Sequence, residues 1–335
     1  EGYGIQLAPN SISILNEIGF SKINNEDYFN PKKLIFYEDK ITKICELDLN
    51  RFNRRDVKYS TLKRSTLIEL LKDAVYSKNL KFKKQIQKIS YLKNKLLINF
   101  DDNTNDLVDY IIAADGIYSN TRSFFQEKKN KLLFKKSIAL RTSINSPKLM
   151  GLEKDSINLI MGSNMHTVIY PTDKKDNFNV VSIVRSKHEN ITEVRELINN
   201  KIFKEGLLKN IYEKDTKSWP IYITPKILHS SNKNVFYIGD AFNSMLPTMA
   251  QGASQSIESA YELFLLIKKD DRNIQKKYFE KRAKKVKLII IRSNFNFFVF
   301  HISNSFLKKM RNIALKILVN QKRFLEYYLG KIYKK

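Results

Sequence analysis

The sequence predicts an α/β fold in which one α/β domain is interrupted by a sheet-based domain and followed by a helical C-terminal region. Three observations carry this expectation. Two apolar runs, "YIIAADG" (110–116) and "VFYIGD" (235–240), each end in an aspartate beside a glycine. The middle of the chain, from about 132 to 185, is strand-like, with turn residues at "TDKKDN". From about 245 onward one helical pattern follows another into a basic tail. Strands bracketed by helices, with a β-rich insert, are the pattern of an α/β protein with a second sheet.

The elements follow in order. "PNSISILNEIGF" (9–20) reads as a helix opening at Pro9, with Ile12, Leu15 and Ile18 on one stripe. "LIFYE" and "TKICEL" (34–47) read as two short strands around a turn at Asp39-Lys40. "TLKRSTLIELLKDAVYSK" (61–78) is an amphipathic helix, and the alternating runs at 86–92 and 95–100 are strands. "LVDYIIAADG" (107–116) reads as one buried strand ending in a turn. Val235 to Ile238 form a core strand, and beyond Pro247 a helix carries Ala250, Ala253, Ile257, Ala260, Phe264 and Ile267 on one stripe.

Composition narrows the class. The 335 residues are 42% hydrophobic and 12% aromatic, which marks a globular chain with room for more than one domain. The single cysteine, Cys45, excludes an internal disulfide framework and fits a reducing compartment, so a cytoplasmic location is expected. No membrane span is expected, because Arg292, Asn294 and Asn296 interrupt the most apolar stretch, "LIIIRSNFNFFVF" (288–300). No signal-peptide pattern is read, and the chain does not begin with Met. The net charge of +26 is spread along the chain with abundant Ile and Asn, as an AT-rich genome would produce. No nucleic-acid partner is therefore expected, although attraction to anionic cofactors or an anionic surface stays open. The basic runs "KKDDRNIQKK" (268–277) and "KRAKKVK" (281–287) read as solvated helix faces.

Two segments carry chemistry. Gly239 lets the chain turn sharply after its strand, and Asp240 then stands at the carboxyl edge of a sheet, where open α/β folds bind ligands. A carboxylate there accepts hydrogen bonds from ribose- or ribitol-like hydroxyls. Gly252, Ala253 and Ser254 leave the first-turn amides of the next helix unshielded, which suits an anion or an electron-rich ring edge. The same segment also reads as an ordinary strand, loop and helix. In "YIIAADGIYSNTR" (110–122), Asp115 and Gly116 end a second strand, Ser119 is placed to cap a helix, and Arg122 follows. Arg64, opening "RSTLIELL", completes a constellation that is rare by chance.

At these residues the chain resembles the FAD-dependent aromatic hydroxylases, single-component flavoprotein monooxygenases. The family's Asp-Gly motif matches Asp115, Gly116, Ser119 and Arg122. Its Gly-Asp motif matches Gly239, Asp240, Ala241, Pro247, Gln251 and Gly252, followed by Glu258. Arg64 matches the flavin-contacting arginine, and residues 2–20 look like the first helix. "MHTVIYP" (165–171), "WPIY" (219–222), "LPTMAQGASQSIESA" (246–260) and "FHIS" (300–303) point to the salicylate hydroxylase-like branch. The chain begins after the glycine-rich phosphate loop of that family, so it is read as a fragment or as a protein without that cradle. Asn243 and Ser259 replace the usual His and Asp.

The resemblance implies a Rossmann-like FAD-binding domain, N-terminally truncated, formed by 1–25, 51–128 and 230–268. It implies a β-sheet substrate domain formed by 26–50 and 129–229, with C-terminal helices over 269–335. FAD would be held by Arg64, Asp115, Gly116, Arg122, Gly239, Asp240, Pro247, Gln251, Gly252 and Ala253. NADH or NADPH would reduce it, and a phenol- or salicylate-like aromatic substrate would be hydroxylated with O2. His166, Tyr170 and His301 are the catalytic candidates, with a histidine expected to act as general base toward the phenol. His166 and Tyr170 are four apart in one strand and so share a face. His188 and His229 read as loop residues. No metal and no integral membrane association are expected, and a homodimer stays open. A weakened flavoprotein with another oxidoreductase activity is the alternative. The halogenase signature Trp-x-Trp-x-Ile-Pro is excluded, because Trp219 is the single tryptophan.

Overall fold

The computed structural model describes residues 3–125, 131–145, 151–189, 211, 216–230, 232–269 and 273–334. Residues 270–272 of the first basic run therefore lie outside the described residues.

The N-terminal helix is shorter than its pattern. Gly4–Leu7 forms strand β1, and helix α1 covers Pro9–Leu15, with proline in its first turn where no amide hydrogen is needed. A 3₁₀ turn over Asn16–Ile18 and the left-handed Gly19 (φ 99°) end it. Ile12 and Leu15 are buried, but Ile18 falls outside the α-helix and is exposed.

β2 (Tyr28–Phe29), β3 (Lys33–Glu38) and β4 (Lys43–Asp48) follow, the last two forming the expected hairpin. The helix expected over 61–78 gives up its start to β5 (Ser60–Lys63), and α2 covers only Arg64–Asp73. The reason is tertiary: β5 pairs antiparallel with both β1 and β2, and the Thr61 hydroxyl donates to the Pro171 carbonyl at 2.5 Å. β6 (Ile86–Leu92) and β7 (Lys95–Phe100) form where alternation places them. The single strand expected over 107–116 divides into β8 (Asn105–Val108), paired with β7, and β9 (Ile111–Ala113), which joins a different sheet. Helix α3 (Asn120–Phe125) follows β9.

The β-rich middle supplies β10 (Leu133–Asn145), β11 (Ile157–Gly162), β12 (Met165–Pro171), β13 (Asn177–Arg185) and β14 (Lys217–Ile223). With β3 and β4 they build a seven-stranded sheet in the order β14-β10-β13-β12-β11-β3-β4. Its neighbours are antiparallel except the β11–β3 pair. Alternation along the strands divides its side chains between two faces. Ile35, Ile160, Ile169 and Val180 pack on one side. Phe36, Leu159 and Tyr170 pack on the other, together with Phe300, Val319 and Leu325 from the C-terminal helices.

β15 (Val235–Tyr237) pairs in parallel with β9. Helices α4 (Gly252–Lys268), α5 (Ile274–Phe300) and α6 (Ser305–Leu318) follow, and a last helical stretch runs through Lys322–Leu325, Glu326–Gly330 and Lys331–Tyr333. The apolar stripe expected on α4 is half exposed: Ala253 and Ile257 pack against α1, but Ala260 and Phe264 face solvent. Its buried residues are mostly polar: Ser254, Gln255, Glu258, Ser259 and Glu262. Charged partners on α5 explain this inversion, as described below. Among the described residues, no helix is long and apolar enough to cross a membrane.

Candidate active site

The two aspartates selected from sequence leave one sheet edge together. β9 and β15 run side by side with Ala113 opposite Tyr237, and the Ile238 amide donates to the Ala113 carbonyl at 3.0 Å. Asp115 and Asp240 therefore follow adjacent carboxyl ends. The Asp115 carboxylate accepts from the Thr121 amide (2.9 Å), and the Ser119 hydroxyl accepts from the Arg122 amide (3.3 Å). These bonds satisfy orphan donors at the start of α3. Burial pushes the Asp115 carboxyl up, but hydrogen bonds from Ser119 and Thr121 outweigh it and hold the group below its ordinary value. Arg122 is buried, and its guanidinium donates to the Ala241 carbonyl (3.3 Å) and to the Ile117 carbonyl. It thus ties the two aspartate loops to each other. Its donors are directed at the backbone, which makes it a positioning residue.

Asp240 is solvent-accessible at its surface yet crowded by protein around it. That crowding pushes its carboxyl up, and the charge of Arg64 opposes the shift. Arg64 is the first residue of α2 and is exposed, with its amide donating to the Tyr3 carbonyl at 3.0 Å. The structure therefore brings Arg64, Asp115 and Asp240 to one region.

Gly239 sits at φ 56°, and its amide donates to the Ser259 hydroxyl at 3.2 Å. A Cβ there would stand 2.7 Å from the Ser256 hydroxyl, so the loop can lie this close to α4 only with glycine. Ser259, which replaces the family's usual Asp, is the group that receives the loop. Gly239→Ala should cost about 1–3 kcal/mol in urea unfolding. Adding Ser256→Gly should recover the clash part of that loss and leave the backbone part. Full stability in Gly239→Ala alone would refute this account of the loop.

Beyond it, Pro247–Met249 form a 3₁₀ turn, and Ala250 takes left-handed backbone (φ 49°). The Gln251 side-chain oxygen Oε1 accepts from the Gln255 side chain at 3.0 Å, while its buried Nε2 has no hydrogen-bond partner among the described residues. Among the described residues, apart from its chain neighbours and the backbone of its own helix, nothing lies within 4 Å of where a Gly252 Cβ would stand, so the start of α4 is open. Ala253 packs with Ile12 and Leu15 of α1. Asn243 donates to the Thr224 hydroxyl at 2.8 Å and so anchors the loop to the segment after β14.

A cavity of about 180 Å³ adjoins this loop. Pro247, Thr248, Met249 and Ala250 form one wall, and Phe36, Leu159, His166 and Val168 of the large sheet form another. Phe295, Val299 and Phe300 of α5 close a third side. Gln6 and Asn296 are among its polar lining residues. Gln6 accepts from the Tyr59 hydroxyl (2.8 Å), and Asn296 accepts from the Tyr328 hydroxyl (2.6 Å).

The candidate catalytic residues divide. His166 lines the cavity, but its Nδ1 is 2.7 Å from Nε2 of His301, and both rings are buried. Burial lowers the His166 pKa to about 3. Burial first, then the adjacent His166 and Arg185, lowers His301 to about 2. The two imidazoles are therefore neutral at physiological pH, with one donating its N–H to the other. Tyr170 shares the face of His166 but lies in the packed apolar cluster rather than among the residues lining the cavity. Burial pushes its phenol up, against the opposing influences of Arg141 and Gln6. His188 and His229 are exposed loop residues.

Sequence reasoning missed a buried ion network behind the site. Arg282, in the run read as a solvated face, is 1% exposed. Its guanidinium lies 3.4 Å from the Glu262 carboxylate and 3.8 Å from that of Glu258, and it donates to the side-chain oxygen Oε1 of Gln255 at 2.7 Å. Lys285 also pairs with Glu258, whose second oxygen accepts from Asn10 and Gln255, each at 3.0 Å. This network is why the inner side of α4 is polar. The spacing Glu258, Glu262 on one helix was its available signal.

The chain is similar to known proteins in sequence and in fold. The family model described as SE, squalene epoxidase, matches residues 108–328. The chain is 26% identical over 269 residues to a flavin-dependent monooxygenase of an unknown prokaryotic organism, covering 76% of this chain and 67% of that protein. It is 26% identical over 214 residues to salicylate hydroxylase of Pseudomonas putida, covering 56% of this chain and 49% of that protein. Among solved structures, Klebsiella pneumoniae HpxO complexed with FAD and uric acid is similar in fold, with a TM-score of 0.84 at 16% identity. That likeness covers 99% of this chain and 87% of the other.

Proposed function

The chain belongs to the squalene epoxidase family, and from that premise we propose that it is an FAD-dependent monooxygenase. It hydroxylates a small aromatic, phenol- or salicylate-like molecule, with NAD(P)H as reductant and O2 as co-substrate. The observation that carries this reading is the cavity against Pro247–Ala250, the loop that follows the strand-end carboxylate Asp240.

The residues fit the cofactor. FAD, when bound, supplies hydride acceptance and the activation of O2. Asp240 accepts hydrogen bonds from its hydroxyls, with Arg64 balancing the charge. The open start of α4 at Gly252 and the orphaned Gln251 amide supply donors to an electron-rich edge. Asp115 and Gly116 stand at the adjacent strand end, while Arg122 holds the two loops in register. The apolar walls exclude water from the substrate, and the polar lining residues Gln6 and Asn296 orient it.

We assign His166 and His301 a positioning role in place of general base. An imidazole whose pKa is about 3 is a poor acceptor for a phenolic proton near pH 7. Their mutual hydrogen bond instead fixes the end of α5 against β12. The domain division expected from sequence is retained in this proposal. It is supported by the seven-stranded sheet, which takes β3 and β4 from the first substrate-domain segment and its other strands from the second.

The test uses protein expressed from its full reading frame. FAD absorbance after purification and substrate-dependent NAD(P)H oxidation with hydroxylated product are expected. Asp240→Ala should weaken FAD binding about ten- to a hundredfold, the loss of one charge-assisted hydrogen bond, with its melting temperature maintained. Unchanged FAD affinity in that variant would remove Asp240 from the site. Failure of the parent protein to bind FAD would refute the reading as a whole. Peroxide without product would favour the weakened-flavoprotein alternative.

A further inference from the structure

The walls of the substrate cavity carry no formal charge. Among the described residues, those lining it include no Asp, Glu, Lys or Arg, and His166 is neutral there. The hydroxyls of Tyr59 and Tyr328 are committed to Gln6 and Asn296, and that of Thr248 donates to the Ser293 carbonyl at 2.6 Å. Arg141 shares the sheet face of Val168 but does not line the cavity. It stands opposite Val181, which stands opposite Val168, so two strand spacings, about 10 Å, separate it from that wall. A carboxylate drawn between such walls would give up its water and meet no opposite charge. The space is also small. An apolar cavity of about 150 Å³ takes up benzene, and this one, at about 180 Å³, has room for one ring with a small substituent.

One wall group is placed for a single oxygen. His166 Nδ1 is held by His301 Nε2 at 2.7 Å, which leaves His166 Nε2 as the ring nitrogen for a ligand. The proton positions follow from His301, whose Nδ1 is buried with no hydrogen-bond partner among the described residues. An orphaned buried N–H is rarer in folded proteins than an orphaned acceptor. His301 therefore carries its proton on Nε2 and donates it to His166 Nδ1, and His166 carries its own on Nε2. We propose that the substrate is an uncharged, single-ring aromatic alcohol whose oxygen accepts from His166 Nε2, and that aromatic carboxylates are excluded. This choice between the phenol-like and salicylate-like classes rests on the flavin reading, which makes this cavity the substrate site.

Calorimetric titration of protein from the full reading frame tests it, with 2-methylphenol, salicylate and toluene as probes. Salicylate should bind at least about a hundredfold more weakly than 2-methylphenol, from which it differs by a carboxylate in place of a methyl group. His166→Leu should weaken 2-methylphenol about tenfold, the loss of one hydrogen bond, and leave toluene unchanged. Toluene binding thus reports that the cavity of the variant is intact. His166→Gln, which keeps a donor, should recover much of the 2-methylphenol affinity. With FAD retained, equal binding of salicylate and 2-methylphenol, or no binding of 2-methylphenol, would overturn the inference and leave the flavin reading standing. Tight salicylate binding that is lost in Arg141→Gln would overturn it by giving the carboxylate a partner. Equal losses of toluene and 2-methylphenol in His166→Leu would overturn the contact assigned to His166. Protein that binds 2-methylphenol in preference to salicylate but retains no FAD would refute the flavin reading while upholding the ligand class.

Discussion

Arg282→Leu should destabilise the fold by about 3–5 kcal/mol, the cost of removing one partner from a buried ion network. Arg282 is 1% exposed and sits between the Glu262 carboxylate at 3.4 Å and the side-chain oxygen Oε1 of Gln255 at 2.7 Å, with Glu258 slightly farther away. Leucine cannot supply those donors. Glu258 keeps Lys285, Asn10 and Gln255, whereas among the described residues Glu262 keeps only the exposed Lys281, at 3.5 Å, as an ion-pair partner. Removing the second charge should therefore relieve much of the loss. Arg282→Leu/Glu262→Leu should recover more than half of it, because deleting both members of a buried pair is often nearly neutral. Urea unfolding of the parent, the single variant and the double variant measures this. A single-variant loss below about 1 kcal/mol would mean that water reaches the network and screens it.

This network also marks where the sequence stopped being readable. Local patterns were enough for the strands of the β-rich middle, for the hairpin of β3 and β4, and for the two strand ends carrying Asp115 and Asp240. In each case the signal lay within a few residues. The start of α2 was misplaced because Ser60–Lys63 is claimed by β1 and β2, partners that helical periodicity cannot reveal. The stripe on α4 was half wrong for the same reason. Its inner side answers to Arg282 and Lys285 on the next helix, and a charged residue reads as solvated until its partner is known. Among the site residues, the flavin-binding candidates came from motif and resemblance, and the structure places Arg64, Asp115 and Asp240 together. The histidines were identified one by one. Their pairing across 135 residues, and the loss of basicity that comes with it, belongs to tertiary structure.

The His166–His301 pair should make the fold acid-sensitive well above the carboxylate range. Both pKa values lie below the ordinary histidine value of 6.5, at about 3 and about 2. Between pH 6.5 and 3 the unfolded chain binds protons at these two positions and the folded chain does not. Stability is therefore fully present above pH 6.5 and falls as pH drops through that window. One unit of pKa shift corresponds to about 1.4 kcal/mol. Going from pH 7 to pH 5 should then cost about 2 kcal/mol per histidine, or about 4 kcal/mol for the pair. His166→Gln/His301→Gln removes both titrating groups while keeping hydrogen-bonding side chains. The stability lost between pH 7 and pH 5 should be about 4 kcal/mol smaller in that variant than in the parent, as measured by urea unfolding at each pH. Equal losses in the two proteins would mean that the pair is hydrated or already protonated in the fold. The same chemistry fixes the expected pH–rate profile. Neutral imidazoles that do not titrate between pH 6 and 8 cannot produce a limb there, so His166→Gln should scale the rate without changing the profile's shape. A limb near pH 6.5 that is present in the parent and absent from His166→Gln would return His166 to the role of general base.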